Sequence, residues 1–106
     1  MDDSTRDRIQ TLIDGNDVVL FMKGNKHFPQ CGFSATVVEV LRRSGSEFQD
    51  VNVLEDAEIR QGIKEFTKWP TIPQHYVRGK FVGGCDIVRE MYEKGELDAV
   101  LSAKES

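Results

Sequence analysis

The feature that most limits the possible folds is an unbroken apolar run, Val18-Val19-Leu20-Phe21-Met22. β-branched and aromatic side chains without polar alternation are typical of a strand that is buried on both faces. Each face of such a strand has to be covered by other elements, because neither can be left in water. The run therefore predicts an inner strand of an α/β sheet that carries helices on both sides.

Several stretches of the chain show apolar residues at helical spacing. This periodicity predicts helices over about 4–13, 33–41, 57–67 and 86–94, and a short amphipathic segment that ends near Leu101. Ser4 and Asp7 lie three residues apart, so we expect a capping box that begins the first helix, which should end at Gly15.

Further strands are predicted on either side of the third helix. Residues 48–53 follow a whole helix after the first strand, which favours parallel pairing. Residues 75–77 and 80–82 flank Arg78-Gly79, which predicts a two-residue hairpin connection. The order αβαβαββα, with a short tail, predicts a βαβ unit joined to a ββα unit. We therefore expect a central four-stranded mixed sheet flanked by helices.

Length and charge limit the class of protein. The 106 residues, without repeat or linker, predict a single domain over 1–106. The net charge of −4 gives no reason to expect nucleic acid or an anionic membrane as a partner. The longest apolar run is too short to span a bilayer. The acidic, polar N-terminus matches neither a secretory signal nor a transit peptide, so we expect a cytoplasmic location.

Cys31 lies between the apolar strand and the next predicted helix, in Phe28-Pro29-Gln30-Cys31-Gly32-Phe33-Ser34. At a helix N-terminus, the helix dipole and the free backbone N–H groups favour a thiolate over a thiol. Ser34 occupies the position where a redox Cys-x-x-Cys motif has its second thiol. Cys31 is therefore predicted to act as a nucleophile or metal ligand that needs sulfur from outside the chain.

Cys85 is the other cysteine, and it also precedes a helical pattern, in Gly83-Gly84-Cys85-Asp86. Two cysteines are too few for a disulfide-scaffolded secreted domain. An arbitrary cytosolic cysteine is usually an inert buried thiol. The position at a helix start favours reactivity for Cys31 and, less strongly, for Cys85.

Three motifs occur in order: Cys31-Gly32-Phe33-Ser34, Trp69-Pro70-Thr71-Ile72-Pro73 and Gly83-Gly84-Cys85-Asp86. Together with the order of elements, they resemble the monothiol glutaredoxins of the single-domain CGFS type, from about Thr5 to Leu101. The resemblance implies a thioredoxin-like fold, glutathione binding and a [2Fe–2S] cluster that bridges two protomers. It also implies a cis peptide bond before Pro73.

The resemblance implies roles for four residues in the first part of the chain. Cys31 is the implied cluster ligand and redox nucleophile. Lys23 is the basic residue across from it, where a cation would lower the pKa of the thiol and attract a glutathione carboxylate. Arg60 and Lys64, one helical turn apart, are implied to hold the glycine carboxylate of glutathione.

The implied glutathione site is completed by Thr71, Ile72, Pro73, Gly84, Cys85 and Asp86. The main chain of Ile72 is implied to pair with the cysteinyl unit. The helix start at Cys85 and Asp86 offers backbone N–H groups to the γ-glutamyl carboxylate. Asp86 would also take the γ-glutamyl ammonium, cap the helix, or do both. For Cys85, a backbone contact, a slow second thiol and simple packing all stay open.

Other residues have plainer expectations. Trp69 is expected to pack and to anchor its loop. His27 and His75 have no local partner at ligand spacing, so both are expected to be surface or partial-core residues. The chain departs from the family at Asn25-Lys26-His27, where a Thr-Pro pair is common, and at His75, where the family usually has an apolar residue. The first departure predicts a looser loop and altered cluster lability.

The implied function is that of a cluster carrier. A [2Fe–2S] core takes four thiolates. Two protomers supply Cys31 twice, and two glutathione molecules supply the rest, so the apo protein should be a monomer and the holo protein a dimer. Apo iron–sulfur proteins are the implied acceptors, and a BolA-like protein is a candidate partner.

Two other functions are open on the sequence. In the first, Cys31 reduces glutathionylated proteins, and a second glutathione resolves the mixed disulfide. In the second, the chain is a protein-binding module of thioredoxin-like fold, which would not need Cys31.

Overall fold

The computed structural model of the protein describes residues 1–102. The helices are α1 (Asp3–Asp14), α2 (Gly32–Arg43), α3 (Ala57–Thr67), α4 (Cys85–Glu93) and α5 (Leu97–Ser102). The strands are β1 (Val18–Met22), β2 (Gln49–Asn52), β3 (Gln74–Val77) and β4 (Lys80–Gly83), and a short 3-10 turn, Val53–Glu55, follows β2. None of the helices within residues 1–102 has the length and apolar character needed to cross a membrane.

The four strands form one mixed sheet in the order β2-β1-β3-β4. β1 pairs with β2 in parallel and with β3 antiparallel, and β3 and β4 form the antiparallel hairpin. All residues of β1 are buried, as the apolar run predicts. The prediction of a central four-stranded mixed sheet flanked by helices is confirmed.

Each face of the sheet is covered by its own layer of helices. Leu20 of β1 faces a cluster built with residues of α2, α4 and α5. Its neighbours Val19 and Phe21 face the opposite cluster, which contains residues of α1 and α3. Because side chains alternate along a strand, β1 contributes to both clusters and joins them. This is why it lies in the interior of the sheet.

The start of α1 differs from the prediction. The N-cap is Asp2, whose carboxylate accepts a hydrogen bond from the N–H of Thr5 at 2.8 Å. Ser4 is exposed within the helix, so the predicted capping box of Ser4 and Asp7 is wrong. Thr5 is buried and lies next to Gly62 of α3, and the helix begins two residues earlier than Ser4 as N-cap would predict.

His75 is a core residue, in contrast to the expected surface or partial-core position. It lies opposite Leu20 in the pairing of β1 with β3, and its exposed fraction is 0%. Among residues 1–102, neither of its ring nitrogens has a hydrogen-bond partner. Burial lowers the pKa of His75 to about 4, because the charged form would lose its hydration.

We expect His75 to make the protein sensitive to acid. The pKa is about 4 in the folded state against an ordinary 6.5, so only the unfolded chain takes up the proton as the pH falls between these values. Between about pH 7 and about pH 5, this proton uptake should lower the free energy of unfolding of the wild type by about 2 kcal/mol, and His75→Leu should not show this loss. Urea unfolding of both proteins at the two pH values measures this difference. The exposed His27, replaced by Gln, is the control, and equal acid sensitivity of wild type and His75→Leu would contradict the expectation.

Candidate functional site

A cleft of about 710 Å³ opens beside the first turns of α2 and α4. It is lined by Lys23, Cys31, Phe33, Lys64, Trp69, Pro70, Thr71, Ile72, Pro73, Gly84, Cys85, Asp86 and Ile87. The fold therefore brings almost every candidate site residue to one place. Arg60 is the exception: it is exposed, and it is not among the residues that line the cleft.

Cys31 is the N-cap residue of α2, and its side chain is partly exposed at the cleft. Hydrogen bonding by the backbone N–H of Ser34 is the main cause that holds the pKa of the Cys31 thiol below its usual range. The N–H of Phe33, the Ser34 hydroxyl and the charge of Lys23 lower this pKa further, against the opposing effect of burial. These contacts make Cys31 ionise more readily than an ordinary cysteine, and its partly exposed side chain is open to a reactant.

Ser34 has a structural role that the sequence did not reveal. It is fully buried, and its hydroxyl oxygen accepts a hydrogen bond from the backbone N–H of Lys23 at 3.1 Å. The hydroxyl thereby ties the end of β1 to the first turn of α2. Ser34 occupies the position where a Cys-x-x-Cys motif has its second thiol, and its hydroxyl fixes Lys23 and Cys31 relative to each other.

Cys85 lies in the same cleft, but its environment has the opposite effect. It is buried at the first position of α4. Burial raises the pKa of the Cys85 thiol, because the low polarity around it penalises the charged form. The cleft therefore contains one thiol that favours ionisation, that of Cys31, and one that resists it.

Gly84 lies next to Trp69 in the cleft wall, where there is little room for a side chain. A Cβ at position 84 would lie 3.2 Å from the carbonyl oxygen of Pro73 and 3.3 Å from Nε1 of Trp69. Trp69 also packs on Phe81, with 5.6 Å between ring centroids, which fits its expected packing role. Within the described part of the chain, its buried Nε1–H has no acceptor.

Gln74 holds the loop that forms one wall of the cleft, and sequence reasoning missed it. Its buried side-chain amide donates to the carbonyl oxygens of Trp69 at 3.0 Å and Thr71 at 3.2 Å. Its Oε1 accepts hydrogen bonds from the hydroxyls of Thr67 and Tyr76, each at 3.1 Å. A glutamine in a short strand that also contains Tyr76 and Val77 was the available signal, because a buried amide needs partners for all of its polar atoms.

Metal ligands are sparse in this site. Within residues 1–102, no three His, Cys, Asp or Glu side chains are grouped so that they could hold a metal ion. A metal or cluster held at Cys31 would therefore need ligands beyond those that residues 1–102 bring together.

Sequence comparison identifies the family. A sequence model of the glutaredoxin family matches residues 18–82. The probable monothiol glutaredoxin 2 of Rickettsia conorii is 57% identical over 95 residues, which cover 90% of this chain and 89% of that protein. The chain belongs to the monothiol glutaredoxin family.

Solved structures show the same fold for this monothiol glutaredoxin. Reduced apo GrxS14 of poplar superimposes with a TM-score of 0.78 at 50% identity, over 88% of this chain and 85% of that one. Buckwheat glutaredoxin, solved as a complex with glutathione, gives a TM-score of 0.82 at 25% identity, over 93% and 88% of the two chains. The predicted thioredoxin-like fold is confirmed, and the Ile72–Pro73 bond is cis, as the resemblance implied.

The loop between β1 and α2 of this glutaredoxin is held in place, although the family's Thr-Pro pair is absent. The N–H of Gln30 donates to the carbonyl of Lys23 at 2.9 Å, and the N–H of Gly24 donates to Oδ1 of Asn52 at 3.0 Å. Asn25 accepts two backbone hydrogen bonds within the loop through its side chain. Hydrogen bonds thus hold the loop in this structure, and a looser loop with altered cluster lability at Asn25-Lys26-His27 stays a prediction from the sequence.

We predict that Ser34→Ala raises the pKa of the Cys31 thiol. The variant loses the hydroxyl that lowers this pKa and that binds the N–H of Lys23. The rate of Cys31 alkylation by iodoacetamide, followed against pH, measures the thiolate fraction. Ser44→Ala, at the opposite end of α2, is the matched control. A Ser34→Ala profile that coincides with that of the wild type would contradict the role assigned to this hydroxyl.

Proposed function

We propose that this monothiol glutaredoxin binds glutathione in the cleft and carries a [2Fe–2S] cluster as cargo between two protomers. The observation that carries the proposal is the thiol of Cys31, which is activated and partly exposed, while the only other thiol in the chain, that of Cys85, is buried. One chain thus supplies one usable sulfur ligand, and the remaining ligands come from a second chain and from glutathione.

The cleft has the size and charge that glutathione requires. Its volume of about 710 Å³ falls within the range of small-molecule sites. Lys23 and Lys64 line it and offer cations to the carboxylates of the tripeptide. The backbone N–H groups at the start of α4, which no capping side chain occupies, offer a second place for a carboxylate. The glutathione complex of buckwheat glutaredoxin, which has the same fold, supports this choice of ligand.

The donor set also fits a shared cluster. A [2Fe–2S] core takes four thiolates. Two Cys31 thiolates and two glutathione thiolates complete that set, with no metal ligand needed elsewhere in the chain. Because half of the ligands are exchangeable small molecules, the cluster would be released more easily than one held by four protein cysteines. In this proposal the apo protein is a monomer and the holo protein a dimer.

The destination of the cluster follows from the same chemistry. Apo iron–sulfur proteins, whose own cysteines replace glutathione, are the proposed acceptors, and a BolA-like protein is proposed as a partner in a mixed complex. A cytoplasmic location and a single domain over 1–106 stay predictions from the sequence.

Anaerobic reconstitution tests the carrier function directly. With iron, sulfide and glutathione, the wild type should gain visible absorbance and double its mass, and native mass spectrometry should find inorganic sulfide and glutathione in the dimer. Cys31→Ser should stay colourless, because it removes the only activated sulfur ligand. Cys85→Ser is the matched control and should still assemble the cluster. Assembly without any thiol tripeptide, or in Cys31→Ser, would contradict the proposal.

A second candidate function is supported by the lowered pKa of Cys31. A thiolate can attack the glutathionyl sulfur of a glutathionylated protein, which forms a Cys31–glutathione disulfide and releases the protein thiolate. A second glutathione thiolate then attacks the glutathione sulfur of this disulfide, which regenerates the Cys31 thiolate and yields glutathione disulfide. A colourless reconstituted protein that rapidly reduces a glutathionylated substrate would favour this reductase function.

The two lysines of the cleft should contribute to glutathione binding. Lys23→Met and Lys64→Met are each expected to weaken binding by roughly tenfold, the usual effect of losing one hydrogen bond to a charged group. Arg60→Met should have a smaller effect, since Arg60 does not line the cleft. NMR titration of the apo variants with glutathione gives the dissociation constants. Lys80→Met, on the edge strand β4, is the control, and wild-type affinity in both cleft variants would contradict these roles.

A further inference from the structure

Residues 25–28 form the tip of the loop between β1 and α2. The N–H of Phe28 donates to the carbonyl of Asn25 at 3.1 Å. The side-chain oxygen of Asn25 accepts from the N–H groups of His27 and Phe28, each at 2.9 Å. The tip is therefore a closed turn that holds its own shape. The chain leads from it directly to Cys31.

Lys26 connects this tip to the body of the protein through three hydrogen bonds. Its N–H donates to Oδ2 of Asp50 in β2 at 2.8 Å. Its Nζ donates to the carbonyl of Phe48 at 2.5 Å and lies 4.5 Å from the centroid of the Phe48 ring. Its carbonyl accepts from Nη2 of Arg42 in α2 at 3.0 Å. Lys26 thus joins the tip to two parts of the fold, the start of β2 and the last turn of α2.

The other residues of the tip have no comparable attachment. His27 and Phe28 are exposed, with an exposed fraction of 71% for Phe28. Within the described part of the chain, every hydrogen bond from the tip to β2, Phe48 or α2 involves Lys26. Together with the hydrogen bond from the N–H of Gly24 to Asn52, these contacts of Lys26 set the place of the tip relative to the sheet.

The two sides of the loop are packed together at its base. A Cβ on Gly24, whose φ is +86°, would lie 2.5 Å from the carbonyl oxygen of Phe28 and 2.6 Å from the backbone nitrogen of Gln30. Because the sides are in close contact, a displacement of the tip is transmitted to both ends of the loop. These ends are Lys23, whose N–H binds the hydroxyl of Ser34, and Cys31, the N-cap residue of α2.

We infer that Lys26, held by Asp50, Phe48 and Arg42, is a positioning residue that fixes the active-site loop and thereby places Cys31 against the first turn of α2. Lys26 does not line the cleft and acts through the loop. The inference concerns the thiol of the apo protein, and its relevance to cluster carriage rests on the proposed function.

Two variants of opposite charge change test the inference. Lys26→Met removes a positive charge together with the contacts of Nζ, and Asp50→Ala removes a negative charge together with the acceptor for the Lys26 N–H. If the loop positions Cys31, both variants should raise the pKa of its thiol. A rise of half a unit would reduce alkylation by iodoacetamide near neutral pH by roughly threefold. A purely electrostatic effect would instead shift the two pH profiles in opposite directions.

Conservative and remote variants complete the experiment. Lys26→Arg keeps a cation and a donor beside Phe48, so it should retain the wild-type pH profile. Lys80→Met, on β4, should also leave the profile unchanged. Circular dichroism at the assay temperature establishes that each variant is folded. If Lys26→Met is not folded, Arg42→Met replaces it, since it also removes a positive charge and one of the three contacts. If Asp50→Ala is not folded, Asp50→Ser replaces it, since it also removes the negative charge and the acceptor for the Lys26 N–H. Unchanged or oppositely shifted profiles in folded Lys26→Met and Asp50→Ala would overturn the inference.

Failure of this inference is distinguishable from failure of the proposed function. The alkylation profiles use the apo protein alone, without glutathione or iron. If the wild type does not assemble a cluster, the carrier proposal is contradicted, while the alkylation profiles still test the role of Lys26. Conversely, if the wild type assembles the cluster and the alkylation profiles of all variants coincide, the carrier proposal stands and the role of Lys26 is overturned.

Discussion

The site depends on one strand, β1, whose residues are all buried between two layers of helices. Four of its side chains, from Val19 to Met22, have an exposed fraction of 0%. Burial of each contributes about 1.5–3 kcal/mol relative to exposure, so the strand is held firmly in the interior. Directly after this rigid strand comes Lys23, whose N–H binds the hydroxyl of Ser34. The hydrophobic core thus fixes the strand from which the loop to Cys31 begins, and the hydroxyl of Ser34 links this strand end directly to the first turn of α2.

The chemistry of the two cysteines shows how environment separates groups of the same type. Cys31 and Cys85 both lie at helix starts and both line the cleft. The backbone N–H groups of the first turn of α2 reach the exposed thiol and favour its charged form. Burial dominates at the start of α4 and favours the neutral form. A helix N-terminus is therefore insufficient to activate a thiol, since access to water decides which effect is larger.

The sequence predicted the sheet because the signals were local and strong. The apolar run of β1, the Arg78-Gly79 connection and the periodicity of α2 and α3 each depend on neighbouring residues alone. The motifs also located most of the cleft. Sequence reasoning missed contacts between distant residues: the hydroxyl of Ser34 with Lys23, and the amide of Gln74 with two loop carbonyls. Arg60 shows a limit of helical spacing. The spacing places Arg60 one turn from Lys64, but it does not tell which of the two reaches the cleft.

Gln74 has a consequence for how the cleft can change. Both hydrogens of its buried amide are already used, one by Trp69 and one by Thr71. An insertion or deletion between Trp69 and Gln74 would move these carbonyls and leave a buried donor without an acceptor, which costs about 1–3 kcal/mol. The number of residues between Trp69 and Gln74 is therefore constrained by the hydrogen bonds of a buried side chain in β3. New ligand preferences are accessible through side-chain replacements along the wall, at Thr71 for example, without any change in the path of the backbone.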